Sequence, residues 1–227
     1  MGRIVVVSGA NRGVGREAAR QFAGRGDTVV VTARQADQAR QAAAELTGAV
    51  AHRLDVTDQE SIVDLAVDLE DRFGRVDVLV NNAGIHYDDW QSAVSADLDV
   101  VREALETNLF GAWMLSQHLL PLLRAAGHGR IVNVSSEVGS LAAMGGGAPA
   151  YKISKAGLNA LTRMLAAELE SDAILVNSIT PGWTATDMGG AGGRPVALGA
   201  AGILWAADLP DGGPTGGFFL DGKPLPW

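Results

Sequence analysis

Ile4-Val5-Val6-Val7-Ser8-Gly9-Ala10-Asn11-Arg12-Gly13-Val14-Gly15 is the stretch on which the reading of this chain turns. Four β-branched residues in a row, without polar alternation, suit a strand covered on both faces, as in a parallel sheet. Glycines at positions 9, 13 and 15 follow at once, and a helical pattern begins near 14. Glycine permits turns closed to other residues and lacks the Cβ that would hold a ligand off the backbone. The helix start beyond it offers free N–H groups and the positive end of a dipole, which together favour an anion. Strand, glycine turn and helix in that order predict a dinucleotide pyrophosphate site built from Gly9, Asn11, Arg12, Gly13, Val14 and Gly15.

The same alternation continues outward. Apolar runs at Thr28–Val31, Val50–Leu54, Val76–Val80, Ile131–Val134 and Ile174–Ile179 read as further buried strands. Helical patterns lie between them near 36–46, 97–125, 150–170 and 195–207. Thr57-Asp58-Gln59-Glu60 reads as a capping box, with Ile62, Leu65, Ala66, Leu69 and Phe73 forming a 3.6-period stripe that ends at Gly74. Right-handed βαβ crossovers then give a single-domain α/β doubly wound Rossmann fold over 1–227, its mainly parallel sheet flanked by helices.

Composition narrows the function. At 227 residues, with 47% hydrophobic and 19% charged, the chain is globular and the size of one large domain. A formal net charge of −8 repels phosphate backbones, so nucleic acid is not the expected partner. Without cysteine there are no disulfides or thiolate metal sites. His52, His86, His118 and His128 lack metal-ligand spacing, so no metal is expected. The run after Arg3 leaves no room for a secretory leader, and the apolar runs fall short of the ~18 residues of a membrane span. A cytoplasmic protein with no membrane partner is the expectation.

The end of the second strand bears on which dinucleotide binds. Val31-Thr32-Ala33-Arg34 carries no acid to accept from a ribose 2′-hydroxyl, and Arg34 and Arg12 are placed to meet a 2′-phosphate. NADP(H) is the expected cofactor. Further on, Tyr151 and Lys155 are four apart in a helical segment and share one face. A phenol titrates near pH ~10, and an adjacent ammonium is expected to lower that by ~1–3 units, making Tyr151 an acid or base.

Seven motifs occur in one order: the glycine loop, Leu54-Asp55-Val56, Asn81-Asn82-Ala83-Gly84, Thr107-Asn108-Leu109, Gly129 to Ser136, Tyr-x-x-x-Lys, and Pro181-Gly182-x-x-x-Thr186. On these the chain closely resembles the short-chain dehydrogenase/reductase family over nearly its whole length, with an ending like that of carbonyl reductases. The resemblance implies that Asp55 and Val56 contact adenine, and that Asn82, Ala83 and Gly84 line the cofactor and brace the sheet. It places Pro181, Gly182, Thr184 and Thr186 at the nicotinamide end and makes Asn108 a helix-kinking residue behind a proton relay. Lys155 would hold the nicotinamide ribose as well as tune Tyr151. Adjacent Ser135 and Ser136 point to opposite sides, and the family's pattern selects Ser136 as catalytic. The Gly145-Gly146-Gly147 loop is read as a small insertion, and Asp187 to Arg194 as a shortened substrate lid.

These expectations converge on an NADPH-dependent reductase of a small ketone or aldehyde, with Asn108, Ser136, Tyr151 and Lys155 as its catalytic groups. The rivals are an NAD(P)-dependent secondary alcohol dehydrogenase working oxidatively and a dinucleotide sensor without turnover. His86, Tyr87, Trp90 and Trp183 follow cofactor-lining motifs and either shape a pocket or pack. Finally, a single stripe of Leu98, Val101, Leu105, Leu109, Ala112, Leu119 and Leu122 would cover the sheet, leaving Phe110, Trp113, Met114 and Leu120 as a second apolar face. A homodimer or homotetramer is the expectation.

Overall fold

The computed structural model describes residues 2–85, 87–187, 189–190 and 192–227. His86, and Met188 and Ala191 of the shortened lid, lie outside the described residues. One eight-stranded sheet runs through the molecule in the order β3-β2-β1-β4-β5-β6-β7-β8. Its strands are β1 (Ile4–Val7), β2 (Thr28–Ala33), β3 (Val50–Arg53), β4 (Val78–Asn81), β5 (Arg130–Val134), β6 (Leu175–Ile179), β7 (Phe218–Leu220) and β8 (Lys223–Pro224). All pairings are parallel except β7 with β8. The helices are α1 (Gly13–Ala23), α2 (Ala36–Ala44), α3 (Gln59–Phe73), α4 (Leu98–Leu105), α5 (Gly111–Ala126), α6 (Pro149–Glu168) and α7 (Val196–Ala207).

Alternation of side chains along each strand divides the core into two layers. Val5 and Val7 meet α1 and α7 through Ala18, Phe22, Ile203 and Leu204 on one face. Val6, Leu79, Ile131 and Val176 meet α3, α5 and α6 on the other. Full burial of such a side chain stabilises by roughly 1.5–3 kcal/mol, which is why these strands read as unbroken apolar runs.

Two strands, β7 and β8, have no counterpart among the six predicted, because pieces of three and two residues carry no usable period. A turn at Asp221 and Gly222, both with positive φ, folds β8 back onto β7. The predicted stripe of α3 faces the core, but its cap differs. Asp58, not Thr57, is the N-cap, accepting from the Glu60 N–H at 3.0 Å. Thr57 lies one position before the cap, its N–H and hydroxyl both donating to Asp55 Oδ1 at 3.0 and 2.8 Å.

The single helix predicted over 97–125 is two helices joined by a π-helical turn, Glu106–Phe110. A π turn inserts an extra residue and resets the phase of everything after it. One stripe therefore cannot serve both halves. Leu98 is 59% exposed, whereas Leu115, Leu119, Leu122 and Leu123 face the sheet. Met114 and Leu120, expected on the outer face, pack against that core, and Trp113 packs with Leu158 and Leu161 of α6.

Candidate active site

Strand order reverses between β1 and β4, and the loops leaving their C-terminal ends meet there. Such a switch point opens a crevice. Ser8 ties its walls together: its Oγ accepts from the Asn82 and Ala83 N–H groups at 2.9 and 3.0 Å. The Asn82 amide donates back to the carbonyls of Ser8 and Gly9 at 2.9 and 3.1 Å. Asn82 thus braces the glycine loop. Gly9 and Gly13 hold positive φ of 64° and 58°. A Cβ on Gly15 would lie 2.3 Å from the Asn82 amide and 2.7 Å from the Gly9 carbonyl. The cradle exists because side chains are missing at these three positions, and the first N–H groups of α1 open into it.

On the next strands lies the second half of the site. Ser135 is buried with its hydroxyl toward the Lys155 carbonyl at 3.5 Å, while Ser136 stands near the phenol of Tyr151. Lys155, on the same face of α6, is 4% exposed; its Nζ donates to the Val134 carbonyl at 2.8 Å and lies 5.5 Å from the centre of the Tyr151 ring. Burial pushes the lysine down to about 8, so most of it remains an ammonium at neutral pH. The tyrosine goes the other way from the lowering expected beside an ammonium. Burial pushes its pKa up to about 12, outweighing the lowering by the nearby Ser136 hydroxyl. The Lys155 ammonium is turned to a backbone carbonyl instead of the phenol, which explains the difference.

Asn108 sits in the π turn, fully buried. Its Nδ2 donates to the Ile85 carbonyl at 3.0 Å and Ser154 Oγ at 2.9 Å, and its Oδ1 accepts from the Ile85 N–H at 2.8 Å. It therefore joins the loop after β4 to the tyrosine helix. Asn108 Oδ1 and Lys155 Nζ both point at Gly84, lying 3.4 and 3.6 Å from where a Cβ would stand.

The remaining predicted residues divide. Arg34 is exposed at the tip of β2. Arg12 pairs across the cleft with Asp187 at 3.2 Å, both side chains mostly exposed. Thr186 overhangs Gly13, its methyl 3.6 Å from that residue's Cβ position, and its hydroxyl accepts from the Gly189 N–H at 3.1 Å. Thr184 is buried and donates to the Pro181 and Gly182 carbonyls, so it shapes the loop from within. Asp55 is partly taken by Thr57. Val56 is 6% exposed and packed under Gly111 of α5, so its side chain is not offered to the cleft. Of the four aromatic or imidazole candidates, Tyr87 places its ring edge-on to Tyr151 at 5.4 Å, while Trp90 and Trp183 are largely exposed.

Residues 3–194 match the short chain dehydrogenase family. This chain belongs to that family. Among similar sequences is the 3-oxoacyl-[acyl-carrier-protein] reductase FabG of Escherichia coli K12, 38% identical, with 82% of this chain and 75% of that protein covered. Among solved structures, an NADPH-bound carbonyl reductase from chicken fatty liver superposes with a TM-score of 0.89 at 30% identity, covering 100% and 99% of the two chains. The carbonyl reductase Sniffer of D. melanogaster gives 0.88 at 29%, covering both chains fully. Short-chain dehydrogenases are oxidoreductases that use nicotinamide dinucleotides, and the glycine cradle fits one.

Two features of this short-chain dehydrogenase have no counterpart in the sequence reading. Asn81, Asn133 and Ser178 lie in register across β4, β5 and β6. With Ser116 and Thr162 they form a buried hydrogen-bonded row at 2.8–3.0 Å that ties α5 and α6 to the sheet. Asp88, wholly buried, reaches the start of α6. Polar residues inside an apolar pattern were the available signal for the first; the second had none.

Proposed function

We propose that this chain is an NADPH-dependent reductase of ketones or aldehydes in which Tyr151 donates the proton. The observation that carries the reading is the buried Lys155 ammonium 5.5 Å from the centre of the Tyr151 ring and close against Gly84, with Ser136 near the phenol. A dihydronicotinamide bound there supplies the hydride. Ser136 and Tyr151 donate hydrogen bonds to the carbonyl oxygen as negative charge grows on it. A phenol held near 12 stays protonated at neutral pH, and an alkoxide is far more basic still, so transfer from Tyr151 runs downhill. Lys155 holds the proton that restores Tyr151, and Asn108 fixes the helix and loop between which these groups sit. A panel of ketones, quinones and aldehydes, with NADPH consumption followed optically, tests the reading and identifies the substrate class. No turnover across the panel would count against it.

Arg34 and Arg12 support the phosphorylated cofactor, as does the NADPH carried by the chicken carbonyl reductase. Each charge-assisted hydrogen bond contributes about 1.5–3 kcal/mol. Replacing both arginines by alanine is therefore expected to weaken NADPH binding by roughly two to four orders of magnitude. NADH binding should hardly change. Fluorescence titration with the two cofactors makes the comparison, and equal losses would remove the arginines from this role.

Assembly as a dimer or tetramer is part of the proposal. Leu98 at the start of α4, Phe110 just before α5, and Ile153 and Met164 on α6 are exposed. Such apolar area usually marks a contact surface. Light scattering at micromolar protein is expected to give a multiple of 23.5 kDa, and the monomer mass would refute it. Among the described residues no helix is long and apolar enough to cross a membrane. A cytoplasmic enzyme without nucleic-acid or metal partners completes the reading.

A further inference from the structure

We propose that Asp88 is a positioning residue for Tyr151, its buried carboxylate setting the first turn of α6 and thereby the place of the phenol. The inference rests on the reading of Tyr151 as proton donor. Asp88 has no exposed surface. Its Oδ2 accepts from the Ala150 N–H and its Oδ1 from the Tyr151 N–H, each at 3.0 Å. One carboxylate thus takes both of the helix's early orphan donors, one of them the tyrosine's own. The anion also meets the positive end of the helix dipole.

The helix cannot do this for itself. Its N-cap position is Ala148, which has no side-chain acceptor and is held at φ 47°, a left-handed conformation that alanine rarely adopts. Pro149 follows, with no N–H to offer. A strained, uncapped start is therefore held by a carboxylate that comes 62 and 63 positions earlier in the chain.

The neighbours of Asp88 act on the same turn. Tyr87 sets its ring against the Tyr151 ring. Ile85 is clamped by Asn108, which also grips Ser154, whose hydroxyl donates to the Tyr151 carbonyl at 2.8 Å. Gln91 donates to Asp88 Oδ2 at 3.2 Å and accepts the Asp97 N–H at 2.7 Å, extending the tie to the start of α4. Backbone nitrogen and ring of Tyr151 are fixed directly by the segment after β4, and its carbonyl through Ser154 and Asn108. All three donors facing Asp88 require an acceptor, so an amide in its place would set N–H₂ against N–H.

A displacement of about 1 Å at a reacting group costs on the order of a hundredfold in rate. Asp88→Asn, nearly isosteric, is accordingly expected to lower kcat about ten- to a hundredfold on the best substrate of the carbonyl panel, with NADPH affinity unchanged within about twofold. A second readout needs no turnover. The chain has two tyrosines, so in a Tyr87→Phe background Tyr151 is the single phenol and its ionisation can be followed by phenolate absorbance. Besides Tyr87, the groups facing that phenol are Ser136 beyond β5 and Lys155 on α6. Adding Asp88→Asn should free the ring and move its titration from the raised value of the Tyr87→Phe protein back toward the ordinary phenol value.

A folded Asp88→Asn protein with unchanged kcat and unchanged phenol titration would overturn the proposal. So would an equal loss of NADPH affinity, which would make Asp88 a general prop of the fold. Asp88→Ser, smaller and able to accept one N–H, replaces Asp88→Asn if the latter does not fold, and failure of both to fold also decides for a prop. If Tyr151→Phe retained turnover, the proton-donor reading would fail by itself, and the phenol titration would still decide the role of Asp88.

Discussion

Tyr151→Phe is expected to reduce carbonyl turnover by roughly three or more orders of magnitude while NADPH still binds. Loss of a positioned general acid removes about 10²–10⁴ in rate, and loss of a hydrogen bond to the developing oxyanion removes about 10²–10³. The two act through one hydroxyl, so they do not simply multiply. Phenylalanine keeps the ring that Tyr87 packs against, and leaves the Asp88 bond to the backbone N–H untouched. The fold and the glycine cradle should therefore survive. Stopped-flow or steady-state consumption of NADPH, paired with a fluorescence binding titration, separates chemistry from binding. Turnover within tenfold of the parent would show that another group supplies the proton.

Gly15→Ala is the second large effect, and it should act at binding. The added methyl would stand 2.7 Å from the Gly9 carbonyl and 2.3 Å from the Asn82 amide. The amide is held by the carbonyls of Ser8 and Gly9, so neither contact yields without the loop moving. Overpacking of this kind destabilises by about 1–3 kcal/mol. A loop displaced from the start of α1 also loses its aim at the pyrophosphate, so affinity for NADPH and NADH should fall together, by about a hundredfold. Thermal melting and cofactor titration measure the two parts. Unchanged affinity in a folded Gly15→Ala protein would mean that the cofactor does not use this loop. Falling equally for both cofactors, it contrasts with the arginine double variant, which should discriminate between them.

Much of the fold was legible because its signals are short-range. The unbroken runs at Ile4–Val7 and Ile131–Val134 follow from burial on both faces, and the structure puts them beside one another across β4. The glycine spacing was equally readable, since a missing Cβ and a positive φ are properties of one residue and its immediate turn. Tyr151 and Lys155 share a face because a helix repeats every 3.6 residues. The extrapolation failed at Asn108. A straight periodicity carried from 97 to 125 put Leu98 on the sheet and Met114 and Leu120 outside, and the π turn reversed those assignments. Thr57 looked like a cap, but the helix begins one residue later and Asp58 caps it, while Thr57 turns back to Asp55.

By itself the sequence determined the alternation of the first six strands with helices, the glycine turn after the first strand and the residues that stand on one face of the tyrosine helix, because near neighbours along the chain impose each of these. Only the tertiary structure decided that Tyr151 is held near 12 and Lys155 near 8, and that the Lys155 ammonium turns to the Val134 carbonyl. It alone brought Asp88 to the head of α6 and set Arg12 against Asp187. The reason is physical. A pKa depends on how much water has been displaced around a group and on which dipoles replace it, and a remote cap depends on which loop closes over a helix end. Both are set by parts of the chain far away in sequence, and no local pattern records them.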